Sequence, residues 1–369
     1  MAPLRILHVV FSLDAGGMEN GIVNVSAALS PAEFELHVCC LARGGEFVRR
    51  FPNPGRVHVL GKKEGFSPAT ISALSRHIRQ LSPQIIHTHN LGPLLYASLA
   101  TPPAPILHGE HAELTPTELA PHRRLLRHLL YRRAKRIHTV SDSLRESLIR
   151  QGFPANRIEV VVNGVDTARF RPIPRDDARR RTGLPVDATL LGLVGRFGPY
   201  KRHAQLIEAF EHLAPAHPAL ALLFLGGGGP LEADIRGRCA SSPFASRIHC
   251  PGFQPDPGPW ISALDLLVLP SVNEGLSNAL LEAMASGVPA LAHTACGNAD
   301  VIHDGSNGFL RDLSTAENIR EALSAILSQP AALPSLGRAA RLTIEDRFAF
   351  PAMVAAYRRL YLELTSPPD

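Results

Sequence analysis

Short apolar runs alternate along the chain with longer stretches in which apolar residues recur every three or four positions. The short runs include residues 6–11, 36–41, 57–60 and 85–88, and the longer stretches include residues 22–29, 69–81 and 94–100. The short runs are apolar throughout rather than at alternate positions, which is typical of parallel strands covered on both faces by helices. The pattern therefore predicts repeated β-α-β units.

A break at residues 160–185 separates this series from a second one. The break contains the turn-forming sequence Asn163-Gly164 and several arginines and prolines, and β-α alternation resumes at residue 190. A chain of 369 residues also exceeds the size at which one core usually suffices. The prediction is an α/β protein with two doubly wound, Rossmann-like domains that face each other across a cleft. The expected segments are a first domain over 1–162, a linker over 163–185, a second domain over 186–345 and a C-terminal helical segment over 346–369 that packs back on the first domain.

Composition narrows the possible classes of protein. Hydrophobic residues make up 45% of the chain, which excludes intrinsic disorder. A net charge of +5 over this length gives no reason to expect nucleic acid as a partner. Five cysteines without a C-x-x-C pair favour a reduced, cytoplasmic protein. The first eleven residues are interpreted as a strand rather than a signal peptide, and every apolar run is too short to span a bilayer.

The most informative segment is residues 270–289, PSVNEGLSNALLEAMASGVP. It predicts a strand end, a polar loop and a helix that Ser277 or Asn278 caps and Gly287 ends. A helix N-terminus at the carboxyl end of a parallel strand offers free N–H groups to a phosphate. Glu274 in the loop and Glu282 in the helix can then hold different hydroxyls of one extended ligand. The unspecific alternative is a solvated glutamate beside a capped helix.

In each predicted domain, a glycine-containing turn follows the first strand. In the second domain, Arg196 and Lys201 lie five residues apart in the sequence GRFGPYK, and two fixed cations suit a diphosphate. In the first domain, Gly16 and Gly17 open a helix, but Met18 breaks the dinucleotide pattern G-x-G-x-x-G. Taken alone, either sequence is also compatible with an ordinary surface turn.

Histidines cluster after two predicted strands, as His87 and His89 and as His108 and His111. An H-x-H pair without further ligands at a suitable spacing is weak evidence for a metal, so no metal site is predicted. Hydrogen-bonded histidines at strand ends are the preferred interpretation for His87, His89 and His108.

A basic segment covers residues 119–140, with seven cations and no acidic residue between Glu118 and Asp142. Four leucines at positions 125, 126, 129 and 130 form an apolar stripe along a predicted helix around residues 122–136. A basic amphipathic helix can lie on an anionic membrane surface. The alternative, left open by the sequence, is an ordinary helix with its leucines in the core and its cations in water.

The spacing of Glu274 and Glu282 resembles the E-x7-E signature of the retaining GT-B glycosyltransferases of family four, and the resemblance covers the whole chain. It implies that the first domain binds the acceptor and the second the nucleotide sugar. The sequence from Gly195 to Lys201 is similar to the family's diphosphate clamp, and Gly16 and Gly17 to its G-G-x-E loop. One departure lies at residues 296–300, CGNAD, where the family usually has two glycines and then a glutamate.

Carried over by resemblance, the expected catalytic residues are His111 beside the donor sugar, the cations Arg196 and Lys201, and Glu274. The expected donor-binding residues are Gly16, Gly17, Gly275, Leu276, Ser277, Asn278 and Glu282. The resemblance implies a metal-independent, hexosyltransferase-type enzyme that moves a sugar, with retention, from a nucleoside-diphosphate sugar to an acceptor hydroxyl. No cofactor is expected.

Residues 16–21 and 108–111 most resemble bacterial exopolysaccharide-associated sugar transferases. The expected acceptor is accordingly a lipid-linked molecule or an oligosaccharide, and the expected location is the cytoplasm, with the inner membrane face as a second hypothesis. Two alternatives remain at this stage: a nucleotide-sugar epimerase of the same fold, and a serine hydrolase using Ser277 in a nucleophile elbow, although Ala279 replaces the last glycine of that motif.

Overall fold

The computed structural model describes residues 2–294 and 296–366. They form two compact units, one from residues up to 163 together with those from 351 onward, and one from residues 164–350. Each unit contains one parallel sheet whose strands are connected by helices, which confirms the prediction of two α/β, Rossmann-like domains. Residues 367–369, at the end of the predicted C-terminal segment, lie outside the described residues.

The first unit contains a seven-stranded sheet in the order β3-β2-β1-β4-β5-β6-β7. Its strands are β1 (Leu4–Val10), β2 (Phe34–Cys40), β3 (Val57–Val59), β4 (Ile85–His89), β5 (Ile106–Glu110), β6 (Ala134–Thr139) and β7 (Ile158–Val160). Its helices are α1 (Gly17–Ala28), α2 (Pro68–Leu81), α3 (Leu91–Leu99), α4 (Pro121–Tyr131) and α5 (Asp142–Arg150). Strands β4 and β5 are buried at every position, as a sheet covered on both faces requires.

The second unit contains a six-stranded sheet in the order β10-β9-β8-β11-β12-β13. Its strands are β8 (Thr189–Val194), β9 (Leu220–Leu225), β10 (Ile248–Gly252), β11 (Leu266–Leu269), β12 (Ala290–His293) and β13 (Phe309–Arg311). Its helices are α6 (Arg175–Thr182), α7 (His203–Leu213), α8 (Glu232–Ser241), α9 (Gly258–Ser262), α10 (Asn278–Ala285), α11 (Cys296–Ala299), α12 (Ala316–Leu327) and α13 (Leu333–Arg347).

The strand order reverses once in each sheet, between β1 and β4 in the first and between β8 and β11 in the second. Right-handed crossovers place the helices before and after such a reversal on opposite faces of the sheet. The loops that leave the two central strands therefore diverge and open a crevice at the carboxyl ends of the strands, where ligands bind in open α/β sheets.

The C-terminal helix α14 (Phe350–Thr365) lies largely within the first unit. Its side chains Tyr357 and Tyr361 are buried, and the Tyr361 hydroxyl lies 3.0 Å from Nδ1 of His87 on β4. The Lys135 ammonium on β6 donates to the Leu364 carbonyl at 3.1 Å. The last helix of the chain thus covers the face of the first sheet that carries His87.

Residues 164–185, for which the sequence predicts an interdomain linker, belong instead to the second unit and contain α6. The Arg179 side chain on α6 is fully buried and donates to the carbonyls of Val186 and Ala188 and, at 3.0 Å, to that of Ala263. It also pairs with the Asp265 carboxylate at 2.7 Å. The arginine-rich composition that suggested a linker therefore includes one core residue.

We expect Arg179→Ala to lower the free energy of unfolding by about 3 kcal/mol, because it leaves three carbonyls and the Asp265 carboxylate, whose side chain is 8% exposed, without this donor. Arg180→Ala is the matched control, since Arg180 forms an exposed ion pair with Asp177, and its loss should cost less than about 1 kcal/mol. Urea unfolding of both variants measures the difference, and equal losses would contradict this role of Arg179.

Candidate active site

The first part of the candidate site is the turn that follows β8 in the second unit. The Gly195 amide donates to the Leu225 carbonyl at 2.9 Å and the Phe197 amide to the Gly228 carbonyl at 2.9 Å, so the turn lies against the glycine run that follows β9. A Cβ atom at Gly226 would overlap the Gly195 carbonyl, and Gly226 has a φ of +141°. Only glycine allows this close approach.

Lys201 and Glu274 are brought together across the reversal point of the second sheet. Lys201 ends a short 3₁₀ turn after β8, and Glu274 lies in the loop after β11. The Val272 amide donates to the Tyr200 carbonyl at 3.0 Å and links the two loops. The Lys201 ammonium forms an ion pair with the Glu274 carboxylate, and the two side chains remain 23% and 18% exposed. A ligand that binds here contacts a cation and an anion that the ion pair already holds side by side.

Arg202 supports this arrangement, and sequence reasoning did not identify it. Its guanidinium donates to the carbonyls of Pro270 and Leu313, each at 3.1 Å, and its backbone adopts a φ of +56°. Because Arg202 directly follows Lys201, these hydrogen bonds hold the end of β11 beside the turn that carries Lys201. Arg196, the other predicted cation, has an exposed side chain two residues after β8.

Helix α10 begins at Asn278, directly after the loop that carries Glu274. Ser277 occupies the N-cap position, but its side chain makes no capping hydrogen bond, so the predicted Ser277 cap is present in position and not in bonding. Glu282 lies in α10 and is partly buried. The helix ends at Ala285, and Gly287 follows with a φ of +76°, as predicted from the sequence.

Helix α11 packs against the loop from Gly275 to Ser277. A Cβ atom at Gly297 in α11 would overlap the Gly275 carbonyl and would lie 2.7 Å from Cα of Leu276. The fully buried Asn298 donates to the His293 carbonyl at 2.9 Å and fixes α11 against β12. Within residues 296–300, where the sequence departs from the expected pattern, Gly297 provides the close approach that places the loop.

The backbone at Ser277 does not have the geometry of a nucleophile elbow. Its φ of −77° and ψ of 119° are ordinary extended values, and its side chain is only 3% exposed. A nucleophile elbow instead presents its serine on a strained, sharp turn between strand and helix. The hydrolase alternative is therefore disfavoured.

In the first unit, the corresponding reversal point carries Gly16, Gly17 and the histidines. Helix α1 begins at Gly17, with Gly16 as its N-cap residue in an extended conformation. A Cβ atom at Gly16 would displace the Glu19 carboxylate, which is the end of a flexible side chain. His111 follows β5 by one residue.

Histidine rings form two hydrogen-bonded chains on one face of the first sheet. In the first chain, His89 lies 2.9 Å from His111 through Nδ1 and 2.9 Å from His8 through Nε2. In the second, His87 lies 2.9 Å from His138 and 3.0 Å from the Tyr361 hydroxyl. Burial lowers the pKa of His111 to about 4 and that of His8 to about 3, so both rings are neutral at neutral pH.

Gly109 on β5 makes room for these rings. A Cβ atom there would lie 2.6 Å from Nε2 of His138 and 2.8 Å from Nε2 of His111. Both distances are shorter than a carbon–nitrogen contact allows, so a side chain at position 109 would displace the rings of His111 and His138. The H-x-H pair on β4 is consistent with the predicted strand-end hydrogen bonding for His87 and His89.

Glu110 faces the opposite side of β5 and pairs with α4. Burial alone would raise the pKa of this carboxyl, but the Arg127 guanidinium and the His108 hydrogen bond lower the pKa to about 2. Arg127 is 1% exposed, and the Tyr131 hydroxyl donates to the same carboxylate at 2.7 Å. The inward face of α4 is thus set by a charged residue.

This buried arginine turns the leucines of α4 toward solvent. Leu125, Leu126 and Leu129 are 61%, 37% and 52% exposed, whereas Leu130 is buried. We call Leu125, Leu126 and Leu129 the leucine face.

The predicted basic helix around 122–136 needs correction, because α4 ends at Tyr131 and the cations from Arg132 onward lie in a turn and in β6. A surface cavity of about 370 Å³ is lined by five cations of these and nearby segments: Arg132, Arg133, Lys135, Arg136 and Arg157.

Comparisons with known proteins agree with this architecture. Residues 15–169 match the model of Glycosyltransferase Family 4, and residues 174–343 match that of Glycosyl transferases group 1. The chain is 32% identical over 237 residues to the D-inositol 3-phosphate glycosyltransferase of Thermobispora bispora, covering 61% of this chain and 55% of that protein. It is 30% identical over 204 residues to the lipopolysaccharide core biosynthesis glycosyltransferase LpsE of Rhizobium meliloti, covering 55% and 57%.

The matched segments span about half the length of the first curated relatives. Among solved structures, the Anabaena protein HepE in complex with UDP has a TM-score of 0.82 and 19% identity over 98% of this chain and 100% of that one. At this identity the likeness shows the fold, which is GT-B. Together, the two family models and the fold show that the chain belongs to the GT-B glycosyltransferases of family four.

Proposed function

We propose that this protein transfers a sugar from a nucleoside-diphosphate sugar to an acceptor hydroxyl with retention of the anomeric configuration. The observation that carries the proposal is the Lys201–Glu274 ion pair at the reversal point of the second sheet, beside the N-terminus of α10. A cation for phosphate, a carboxylate for sugar hydroxyls and the positive end of a helix dipole are the elements that a nucleotide sugar requires.

Catalysis follows from the charge that the leaving group gains. As the glycosidic bond breaks, a nucleoside diphosphate becomes more negative, and preorganised cations stabilise it. Lys201 and Arg196 take this role in the proposal, so no metal is required at the diphosphate. Glu274 holds hydroxyls of the donor sugar and Glu282 holds the ribose, while Gly275, Leu276, Ser277 and Asn278 contribute backbone contacts.

Retention is assigned to attack of the acceptor on the same face from which the diphosphate departs. Glu274, the carboxylate assigned to the sugar, is paired with Lys201 in the structure, which suits a binding role better than that of a covalent nucleophile. His111 is assigned to the donor sugar beside the reacting carbon, and Gly16 and Gly17 to the diphosphate. As a neutral imidazole, His111 can donate one hydrogen bond.

The acceptor is proposed to be a lipid-linked molecule or an oligosaccharide of bacterial exopolysaccharide or glycolipid assembly. Two surfaces of the first unit support a peripheral position on the inner face of a membrane: the leucine face of α4 and the basic cavity next to β6. Exposed leucines rimmed by arginines suit an anionic bilayer surface. Among the described residues, no helix is both long and apolar enough to cross a bilayer.

Incubation with labelled nucleotide sugars and a bacterial glycolipid extract tests this function. We expect acceptor-dependent release of free nucleoside diphosphate and a labelled product with the anomeric configuration of the donor. Isomerisation of the nucleotide sugar without any acceptor would instead indicate an epimerase and would contradict the proposal.

We expect Lys201→Ala to reduce the transfer rate by about 100-fold to 1,000-fold. The ion pair offers a second explanation, because the substitution also releases Glu274. Binding separates the two: loss of a phosphate contact weakens the bare nucleoside diphosphate, whereas release of Glu274 weakens only the nucleotide sugar. Lys63→Ala, at an exposed lysine of the first unit, is the control. Unchanged affinity of Lys201→Ala for the bare diphosphate would refute the phosphate assignment.

Gly297→Ala tests whether α11 positions the donor loop. The new methyl group would overlap the Gly275 carbonyl and displace the loop, so we expect at least about a tenfold loss of nucleotide-sugar affinity from a misplacement of this size. In Gly237→Ala, the added Cβ has no neighbour within 4 Å, and affinity should be unchanged. Calorimetric titration compares the two, and equal affinities would show that the loop does not depend on α11.

The double substitution Leu125→Ser with Leu129→Ser tests membrane attachment. Burial of one leucine contributes about 1.5–3 kcal/mol, so loss of two should weaken vesicle binding by at least about 100-fold. Leu342→Ser is the matched control, because Leu342 is 66% exposed on the second unit. Sedimentation with vesicles rich in anionic lipid provides the measurement. Wild-type protein that stays in the supernatant at low salt would rule out this surface.

A further inference from the structure

Three histidines of the first sheet converge in its interior. His8 on β1 pairs in register with His87 on β4, and His89 lies two residues further along the same face of β4. All three are buried, and one ring nitrogen from each lies within 4.8 Å of the others. The proposed transfer reaction uses none of these three side chains.

We propose that His8, His87 and His89 form a binding site for a divalent transition-metal cation of the zinc type. Imidazole nitrogen is a preferred ligand of Zn²⁺, and three imidazoles with one further position are a common ligand set for this ion. The site concerns the first unit alone and does not depend on the proposed transfer reaction. No metal is proposed at the diphosphate.

A small cavity lies at this point of the structure. It has a volume of about 20 Å³, and its lining includes the three histidines, His111 and the methionines Met18 and Met353, together with Gly17, Ile22 and Val25. One water-sized particle needs roughly 10–15 Å³ on this measure. The space therefore suits a single ion or water, and the surrounding nitrogen and thioether groups favour a soft or borderline cation over Mg²⁺ or Ca²⁺.

His8 supplies an independent indication. Its Nδ1 atom is hydrogen-bonded to His89, but its buried Nε2 atom has no hydrogen-bond partner among the described residues. A buried polar atom without a partner is destabilising and calls for an explanation such as an ion. Coordination through Nε2 of His8 gives this atom a partner.

The ligands are also held from behind, as metal-binding histidines usually are. His87 is bonded to the Tyr361 hydroxyl and to His138, and His89 is bonded to His111. A tetrahedral zinc site with bonds of 2.0–2.1 Å places its nitrogen atoms about 3.3 Å apart. Metal binding requires the rings to rotate until the present spread of up to 4.8 Å closes. Each of His87 and His89 then exchanges one hydrogen bond for a metal bond, which for Nε2 of His89 is the bond to Nδ1 of His8.

The site would connect to His111 through His89. When Nε2 of a histidine binds a metal, its Nδ1–H commonly donates to a neighbour. Here that neighbour is Nε2 of His111, 2.9 Å away. His111 then accepts through Nε2 and keeps its proton on Nδ1, where it can donate to a ligand. This consequence, unlike the site, rests on the proposed function.

Cobalt titration of the full chain after chelator treatment tests the site. We expect one Co²⁺ per chain, with the intense visible absorption of tetrahedral cobalt, and displacement by Zn²⁺, which should also raise the thermal unfolding midpoint. His8→Gln and His89→Gln should weaken binding by roughly 100-fold or more, since even the loss of an outer hydrogen-bond partner costs 10-fold to 100-fold. His122→Gln, at an exposed histidine of α4, should bind as the wild type does.

Folded wild-type protein that gives no stoichiometric cobalt absorption would overturn the proposal, as would full affinity in a folded His8→Gln variant. X-ray absorption of the zinc-loaded wild type keeps the test valid if the variants do not fold. At least three imidazole nitrogens around zinc support the site, and a shell dominated by oxygen or cysteine sulfur refutes it.

Discussion

The reversal of strand order at the centre of each parallel sheet is the constraint on which the candidate site depends. In the second unit, it places the turn after β8 beside the loop after β11, so that Lys201 and Glu274, 73 residues apart in sequence, form an ion pair. In the first unit, the same reversal brings His8 next to His87 and His89. Loop sequence supplies the chemistry, but sheet topology decides which loops meet.

Close backbone contacts turn this topology into a defined geometry. Gly195 against Gly226, and Gly275 against Gly297, approach so closely that no side chain fits between them. Arg202 then links the end of β11 to the β8 turn through two carbonyl hydrogen bonds. Rigid support of this kind matters for a transferase, because preorganised groups stabilise developing charge without reorganising during the reaction.

Buried charges have a comparable influence on the outer surfaces. Arg127 pairs with Glu110 beneath α4, and this inward cation leaves Leu125 and Leu129 on the outside of the same helix. Helical periodicity alone could not distinguish this orientation from the usual one, since a leucine stripe ordinarily faces the core. Arg179 is a second example. Its neighbours in the sequence predicted an arginine-rich linker, and only the tertiary structure brings together the carbonyls and the carboxylate that pair with its buried guanidinium.

The fold and the donor loop were predictable because apolar runs, glycines and the Glu274–Glu282 spacing are local signals. Pairings such as His8 with His89, Lys201 with Glu274 and Gly297 with Gly275 were not, because they join residues that are distant in sequence and depend on sheet register. The sequence gives no spacing that joins His8 to His87 and His89, since β1 and β4 pair only in the folded sheet.

Calorimetric titration with UDP, GDP and ADP, each bare and sugar-linked, tests the central claim most directly, using wild-type protein and Glu282→Ala. The account predicts that one nucleoside diphosphate binds the wild type and that Glu282→Ala abolishes this binding, because the ribose contact is assigned to Glu282. Equal affinity of the folded variant, or no binding of any nucleotide to the wild type, would contradict the assignment of the second unit as the donor site.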